Sequence, residues 1–193
     1  MKAAVLREYG VPRFEDFDDP SETEDTEIVE MLAASLTALD VRLATGDHPL
    51  SPRQLPVVCG VEGVGRTADG RRVFVGAAAR PYGTLAERVP ADPSRLIDVP
   101  EGLDDAVAAA LGNAGWAAWL PLSWRAPLVG GERVLILGAT GVVGRLAVQA
   151  ARLLGAGRVV AVGRDPAALA EVAELGADAT VRWETGRDLA PTF

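Results

Sequence analysis

Cysteine, histidine and lysine are all but missing from this chain. Cys59 is its only cysteine and His48 its only histidine. A single thiol closes no internal disulfide and builds no multi-cysteine zinc site, so no metal is expected and a reducing, cytoplasmic setting fits. Lys2 is the only lysine, and the arginines nowhere gather into a basic stripe or into the charged face of a membrane-surface helix. No run approaches the ~20 apolar residues of a membrane helix, and the opening MKAAVLREYG lacks the apolar core of a signal peptide. The formal net charge is -8, with an acidic cluster from Asp16 to Glu30 that would repel a phosphate backbone. Nucleic acid and membrane are therefore excluded as expected partners. What the chain does have is apolar content, 49% of 193 residues, enough to bury the core of one large domain or two small ones.

Two grammars follow one another. Up to about Leu111 the sequence reads as short β segments between turn residues: Lys2 to Leu6, Glu27 to Ala33, Val57 to Val58, Arg72 to Val75 and Leu85 to Val89. That pattern predicts a small, irregular β-barrel. Leu103 to Leu111 turns helical, with Asp104 and Asp105 at the positive end of its dipole and Gly112 as its stop. A second apolar stretch, Trp116 to Trp124, leads to the Gly130-Gly131 turn; its tryptophans recur at near-helical spacing and read as packing residues. From Arg133 the text alternates strand and helix: Val134 to Leu137, Val142 to Leu154, Val159 to Val162, a helix capped by Asp165 and beginning at Pro166, and Ala179 to Trp183. Strand-helix-strand-helix-strand is half of a doubly wound parallel sheet. The expected division is 1–112 for a β-rich domain and 113–193 for a nucleotide-binding one.

The chemistry-bearing motif is Gly138-Ala139-Thr140-Gly141-Val142-Val143-Gly144, set between a buried strand and a helix. In that frame the loop's backbone N–H groups and the helix N-terminus face a dinucleotide pyrophosphate. Gly141 would permit close backbone approach and Gly144 tight packing of helix on strand. The spacing is GxxGxxG rather than GxGxxG, and a glycine-rich turn that merely joins two elements is the bland alternative. After the second strand, an acid binds the ribose 2'-hydroxyl of NAD whereas arginine accommodates the 2'-phosphate of NADP. Here Gly163 stands at the acid's place and Arg164 follows, which favours NADP(H). Arg164 as a solvated loop residue, with Asp165 holding an NAD ribose, is the competing assignment.

A GATGxxG loop is also common in short-chain dehydrogenases, but there it lies near the N-terminus, and here more than 110 residues precede it. That order resembles the medium-chain dehydrogenase/reductase superfamily. Ala34-Ser35-Leu36-Thr37-Ala38-Leu39-Asp40 is similar to the A-S-L-N-P-x-D of its quinone oxidoreductases, and Cys59-Gly60-Val61-Glu62-Gly63-Val64-Gly65 to their P-G-x-E-x-x-G. Tyr82-Gly83-Thr84-Leu85-Ala86-Glu87 and Asn113-Ala114-Gly115-Trp116-Ala117-Ala118-Trp119 resemble two further stretches, G-G-x-A-E-Y and A-G-x-T-A-W. The resemblance implies an α/β chain with a GroES-like β-barrel followed by the first half of a Rossmann-type sheet. Zinc-using members place Cys where this chain has Thr37 and His where it has Val61, so the resemblance implies the zinc-independent branch: hydride from NADPH to a quinone or α,β-unsaturated carbonyl. Ala117 replaces a usual threonine near the nicotinamide, and a fold-retaining member without turnover is the alternative.

Four catalytic candidates follow. Thr37 takes the place of the branch's active-site asparagine and is expected to bind a substrate carbonyl, or else merely to end a strand. Asp40 matches a frequent acid, with a capping or turn role equally open. His48 falls where these reductases often carry a tyrosine and has the pKa range to protonate a product, against a solvated loop role. Tyr82 is expected to line the pocket or to be a buried turn residue. The cofactor set is Gly138, Ala139, Thr140, Gly141, Val142, Val143, Gly144, Gly163 and Arg164. In the strand order 3-2-1-4-5-6 the strand before the glycine loop is central, so a chain ending at Phe193 is expected either to be truncated or to cover that strand's open edge with a second copy, as in a homodimer, a swapped element or a separate polypeptide.

Overall fold

The structure is a computed structural model that describes residues 1–184 and Gly186. It divides into two compact units, Met1–Asn113 and Ala114–Phe193. In the first, Ala3 and Val5 of β1 (Lys2–Leu6) share a buried face, the two-residue period of a strand. β1 lies between β2 (Arg13–Asp16) and β4 (Val57–Val58), antiparallel to both. A five-stranded antiparallel sheet is built from β3 (Glu27–Ala34), β5 (Gly63–Arg66), β6 (Arg72–Val75), β7 (Arg88–Ala91) and β8 (Ile97–Asp98), in the order β7-β3-β5-β6-β8. Its core is Val29, Val73, Val75, Val89 and Ala91, and each buried valine contributes about 1.5–3 kcal/mol.

The two sheets meet where residues 57–61 cross residues 82–86. Ala3 bridges Ala86, and the Ala4 N–H donates to the Leu85 carbonyl at 2.8 Å. Glycine permits the crossing. A Cβ on Gly60 would stand 2.5 Å from Thr84 Oγ1, and one on Gly83 would press on the carbonyls of Val58 and Cys59. Here the structure corrects an expectation: no strand runs from Leu85 to Val89. Leu85 is engaged on both sides by β1 and Cys59, so β7 begins only at Arg88. A helix the sequence reading did not anticipate, α1 (Ala38–Thr45), follows β3 and ends on Gly46 at φ 82°.

The helix expected to stop before Gly112 runs on. α2 spans Asp105–Leu120 and passes into a π-helical turn at Pro121–Arg125. Its start is fixed by Asp104, whose carboxylate accepts the Ala106 and Val107 N–H groups at 2.9 and 3.1 Å. Arg72 pairs with Asp105 beside it. Gly112 acts laterally instead of ending the helix: a Cβ there would meet the Phe74 ring and lie 2.6 Å from Glu62 Oε2. Glu62 is the buried anchor of this region at 4% exposure. One carboxylate oxygen accepts the Ser35 hydroxyl at 3.0 Å and the other the Asn113 N–H at 2.7 Å. Its backbone carbonyl accepts from the Ser35 N–H and the Thr84 hydroxyl.

The second unit holds a parallel sheet in the order β11-β10-β9, from β9 (Arg133–Leu137), β10 (Arg158–Gly163) and β11 (Ala179–Arg182). This is the 3-2-1 portion of the expected order. α3 (Val142–Leu153) joins β9 to β10, and α4 (Pro166–Glu174) joins β10 to β11. Gly144, Val148 and Ala151 form the buried stripe of α3 at helical spacing. They close over Ile136, Val159, Ala161 and Val172. The outer edge of β9 has no strand partner among the described residues, and Leu135 and Leu137 are exposed. The tryptophans read as packing residues are not buried either: Trp116, Trp119 and Trp124 are 59%, 41% and 75% exposed.

Two expectations follow. Gly112→Ala should destabilise by about 1–3 kcal/mol through overpacking, although alanine is the better helix former. In the same helix Gly115, whose Cβ would enter open space, should gain about 0.5–1 kcal/mol on substitution by alanine; denaturant titration of both variants checks the opposite signs. Burial pushes the Glu62 carboxyl up from the ordinary value of 4.5, assisted by the Asp40 charge and opposed by the bonds from Asn113 and Ser35. With the folded value above the unfolded one, its stabilisation is complete below pH 4.5 and is lost as pH rises through the raised value. The stability of the wild type relative to Glu62→Gln should therefore fall as pH rises through that interval; a difference independent of pH would contradict this.

Candidate functional site

α3 begins without a side-chain cap. Its N-cap is Gly141, which has no side chain to offer, and the N–H groups of Val142, Val143 and Gly144 have no acceptor among the described residues. The first N–H groups of any helix lack intrahelical partners and favour negative charge. α4 shows the contrast within the same unit: the Asp165 carboxylate accepts from Ala167 and Ala168 N–H groups at 2.9 and 3.4 Å. The loop ahead of α3 is shaped by two glycines for reasons internal to the protein. Gly138 has φ 68°, and a Cβ on buried Gly144 would lie 2.6 Å from Ala139 Cα. Gly141 differs. Its φ is -77° and its nearest Cβ contact would be an ordinary 3.6 Å, so nothing in the protein itself requires glycine there.

Ala139 is fully buried, its N–H held by the Val162 carbonyl at 2.9 Å, which sets the loop against the end of β10. The Thr140 carbonyl accepts Arg145 Nε at 3.0 Å, and Arg145 also pairs with Glu171 on α4. Gly138, Gly141, Val142 and Val143 are exposed and face outward from this frame. At the end of β10, Gly163 is buried against Thr140 and Leu169, while Arg164 is exposed and makes no ion pair among the described residues. The arrangement can hold an anionic group on backbone N–H donors beside an exposed guanidinium.

The four catalytic candidates of the first unit do not form one cluster. A cavity of about 280 Å³ is lined by Asp40, Cys59, Arg80 and Tyr82 among apolar walls that include Leu6, Leu43 and Val57. Thr37 and His48 are not among its lining residues. Thr37 is the N-cap of α1 and not the end of a strand. Its backbone N–H and its hydroxyl both donate to Asp40 Oδ2, at 2.7 and 2.6 Å. The hydroxyl proton is thus committed to Asp40. Asp40 is 6% exposed, and its other oxygen accepts the Val61 N–H at 3.0 Å, fastening α1 to the Cys59-Gly60-Val61 segment.

His48 sits on a turn in which its Nδ1 accepts the Leu50 N–H at 3.2 Å, which places a neutral imidazole's proton on Nε2. Tyr82 packs edge-on against Phe17, with ring centroids 5.9 Å apart, and donates to the Asp19 carbonyl. Two features escaped the sequence reading. Glu62 stands in the sequence only within a motif, and Cys59 opens on the cavity with its thiol pushed up by burial and by the Asp40 charge. Among the described residues no group of three or more His, Cys, Asp or Glu is placed to hold a metal ion, and no helix is long and apolar enough to cross a membrane.

A β-rich unit followed by a parallel strand-helix-strand-helix-strand unit with an uncapped glycine loop is the architecture of the medium-chain dehydrogenase/reductase superfamily. Within that class the likeness is to quinone oxidoreductases. The enzyme from Thermus thermophilus, solved alone and with NADPH, is 35% identical and superposes with a TM-score of 0.84 over 93% of this chain and 59% of its own. The quinone oxidoreductase of Coxiella burnetii is 26% identical at a TM-score of 0.87, over all of this chain and 65% of its own. The chain thus spans about three fifths of such enzymes. Residues 142–192 match the family model described as zinc-binding dehydrogenase. Over 137 residues the chain is also 35% identical to the mycocerosic acid synthase-like polyketide synthase of Mycobacterium tuberculosis, matching 66% of this chain and 6% of that protein. The zinc in the family description finds no site among the described residues, where no group of three or more His, Cys, Asp or Glu is placed to hold it.

The loop geometry yields a paired expectation. Gly144→Ala should destabilise by at least about 1–3 kcal/mol, because its methyl meets backbone that cannot retreat. Gly141→Ala should change stability by less than about 1 kcal/mol, the entropy gain offsetting a weaker N-cap. Equal losses on thermal unfolding would contradict the distinction.

Proposed function

We propose that this chain binds NADPH and belongs to an oxidoreductase that delivers hydride to a quinone or α,β-unsaturated carbonyl without zinc. The observation that carries the reading is the uncapped start of α3 behind a glycine, Gly141, that the protein's own packing does not require. Gly138 to Gly144 would hold the pyrophosphate on backbone N–H groups. Arg164 would take the 2'-phosphate, and Gly163 leaves no acid to compete. When bound, the cofactor supplies a hydride to the substrate β-carbon. This chain's own residues must then orient the carbonyl and furnish one proton. NADPH-bound and quinone-reducing neighbours support both parts.

In this reading Asp40 is a positioning residue. It holds Thr37 and Val61, and because it takes the Thr37 proton, Thr37 presents only an acceptor to a substrate. His48, which stands outside the lining of the cavity, is the proposed proton donor, and Tyr82 walls the cavity. The small, largely apolar cavity suits a planar enone or quinone. Ala117 and the committed Thr37 hydroxyl favour a second reading, a cofactor-binding member of the fold without turnover.

NADPH should bind more tightly than NADH, and Arg164→Ala should reduce that preference by about 1.5–3 kcal/mol, the range for a hydrogen bond to a charged group; equal affinities in the unsubstituted protein would refute it. The protein should oxidise NADPH in the presence of simple quinones or enones while holding no stoichiometric zinc by elemental analysis. His48→Ala should alter the pH profile of that turnover. Binding without any oxidation would establish the second reading instead.

A further inference from the structure

Gly163 has ordinary strand backbone, not a left-handed φ, so its conformation does not call for glycine. Space does. A Cβ at this position would stand 2.6 Å from Thr140 Cγ2, 3.1 Å from Leu169 Cδ2 and 3.3 Å from Leu169 Cγ. Leu169 is 4% exposed and fixed in the core face of α4. Thr140 has one side-chain torsion and two heavy branches on it, so one of them faces a neighbour in most rotamers. Its backbone is braced through Arg145, which holds the Thr140 carbonyl and Glu171 together. The glycine loop thus reaches across to the end of β10 and closes the volume that a side chain there would need.

We propose that Thr140 is a positioning residue for cofactor selection. Its γ-methyl, backed by Leu169, keeps position 163 bare, so no carboxylate can be offered there to a ribose 2'-hydroxyl, and selection passes to the exposed Arg164. The inference rests on the NADPH reading above and adds to it a coupling between two loops: the residue that excludes an NAD-type acid lies in the pyrophosphate loop, not after the second strand where selection is usually read.

The test is a double-substitution cycle on the 193-residue chain, with NADH and NADPH affinities measured by cofactor fluorescence for the unsubstituted protein, Gly163→Asp, Thr140→Ser and the pair. Serine removes only the methyl and keeps the hydroxyl. Gly163→Asp alone should weaken both cofactors. The pair should move the NADH-to-NADPH preference at least about tenfold beyond the product of the two single shifts, a coupling of roughly 1.4 kcal/mol. Multiplicative single effects, with NADPH binding intact in the unsubstituted protein, overturn this inference alone. Failure of the unsubstituted protein to bind either dinucleotide overturns the NADPH reading and the selection role together. A readout independent of cofactor completes the test: Gly163→Ala should lower the thermal unfolding midpoint and Thr140→Ser should restore it, and a loss that Thr140→Ser leaves unchanged overturns the steric coupling.

Discussion

The first unit depends on one buried carboxylate. Glu62 gathers donors from three separate segments: the end of β3 through Ser35, the middle of α2 through the Asn113 N–H, and the 82–86 crossing through Thr84 on its carbonyl. A buried carboxyl is tolerated only when its oxygens are met, and here each has a donor. That demand explains neighbouring choices. Gly112 must lack a side chain so that α2 can approach, Phe74 fills the space beside it, and Gly60 and Gly83 let the crossing strands come close enough for Thr84 to reach. Removing the carboxylate would leave the buried Ser35 hydroxyl without its acceptor, which costs about 1–3 kcal/mol.

The second unit was the more legible of the two in the sequence. Its strands are short apolar runs with helical periodicity between them, and local signals such as Asp165 before Pro166 act where they stand. The first unit was legible as β-rich, but its boundaries were not. Gly112 reads as a helix stop because glycine is a poor helix former, yet its reason is lateral, in contact with Phe74 and Glu62, which are remote in the chain. Leu85 and Ala86 read as strand by composition, but tertiary pairing with β1 takes them first. α1 was not read as a helix although a capping role was held open for Asp40, which at N3 accepts the Thr37 N–H.

The candidate site divides the same way. The roles of Gly138 and Gly144 follow from spacing, because strand, loop and helix are contiguous. Thr37, Asp40, His48 and Tyr82 are scattered over a helix start and separate turns, and only Asp40 and Tyr82 share the cavity. Which hydroxyl keeps its proton, and which imidazole nitrogen accepts a turn N–H, are facts of three-dimensional contact that no spacing encodes.

The placement of aromatic residues makes the chain a divided spectroscopic reporter. All four tryptophans, Trp116, Trp119, Trp124 and Trp183, fall in the second unit, and each is 40% or more exposed. Both tyrosines, Tyr9 and Tyr82, fall in the first. Indole emission therefore monitors the nucleotide-loop unit alone, already shifted toward its solvated colour in the native state. Melting of the β-rich unit is silent in that channel and must be followed through phenol absorbance or backbone dichroism.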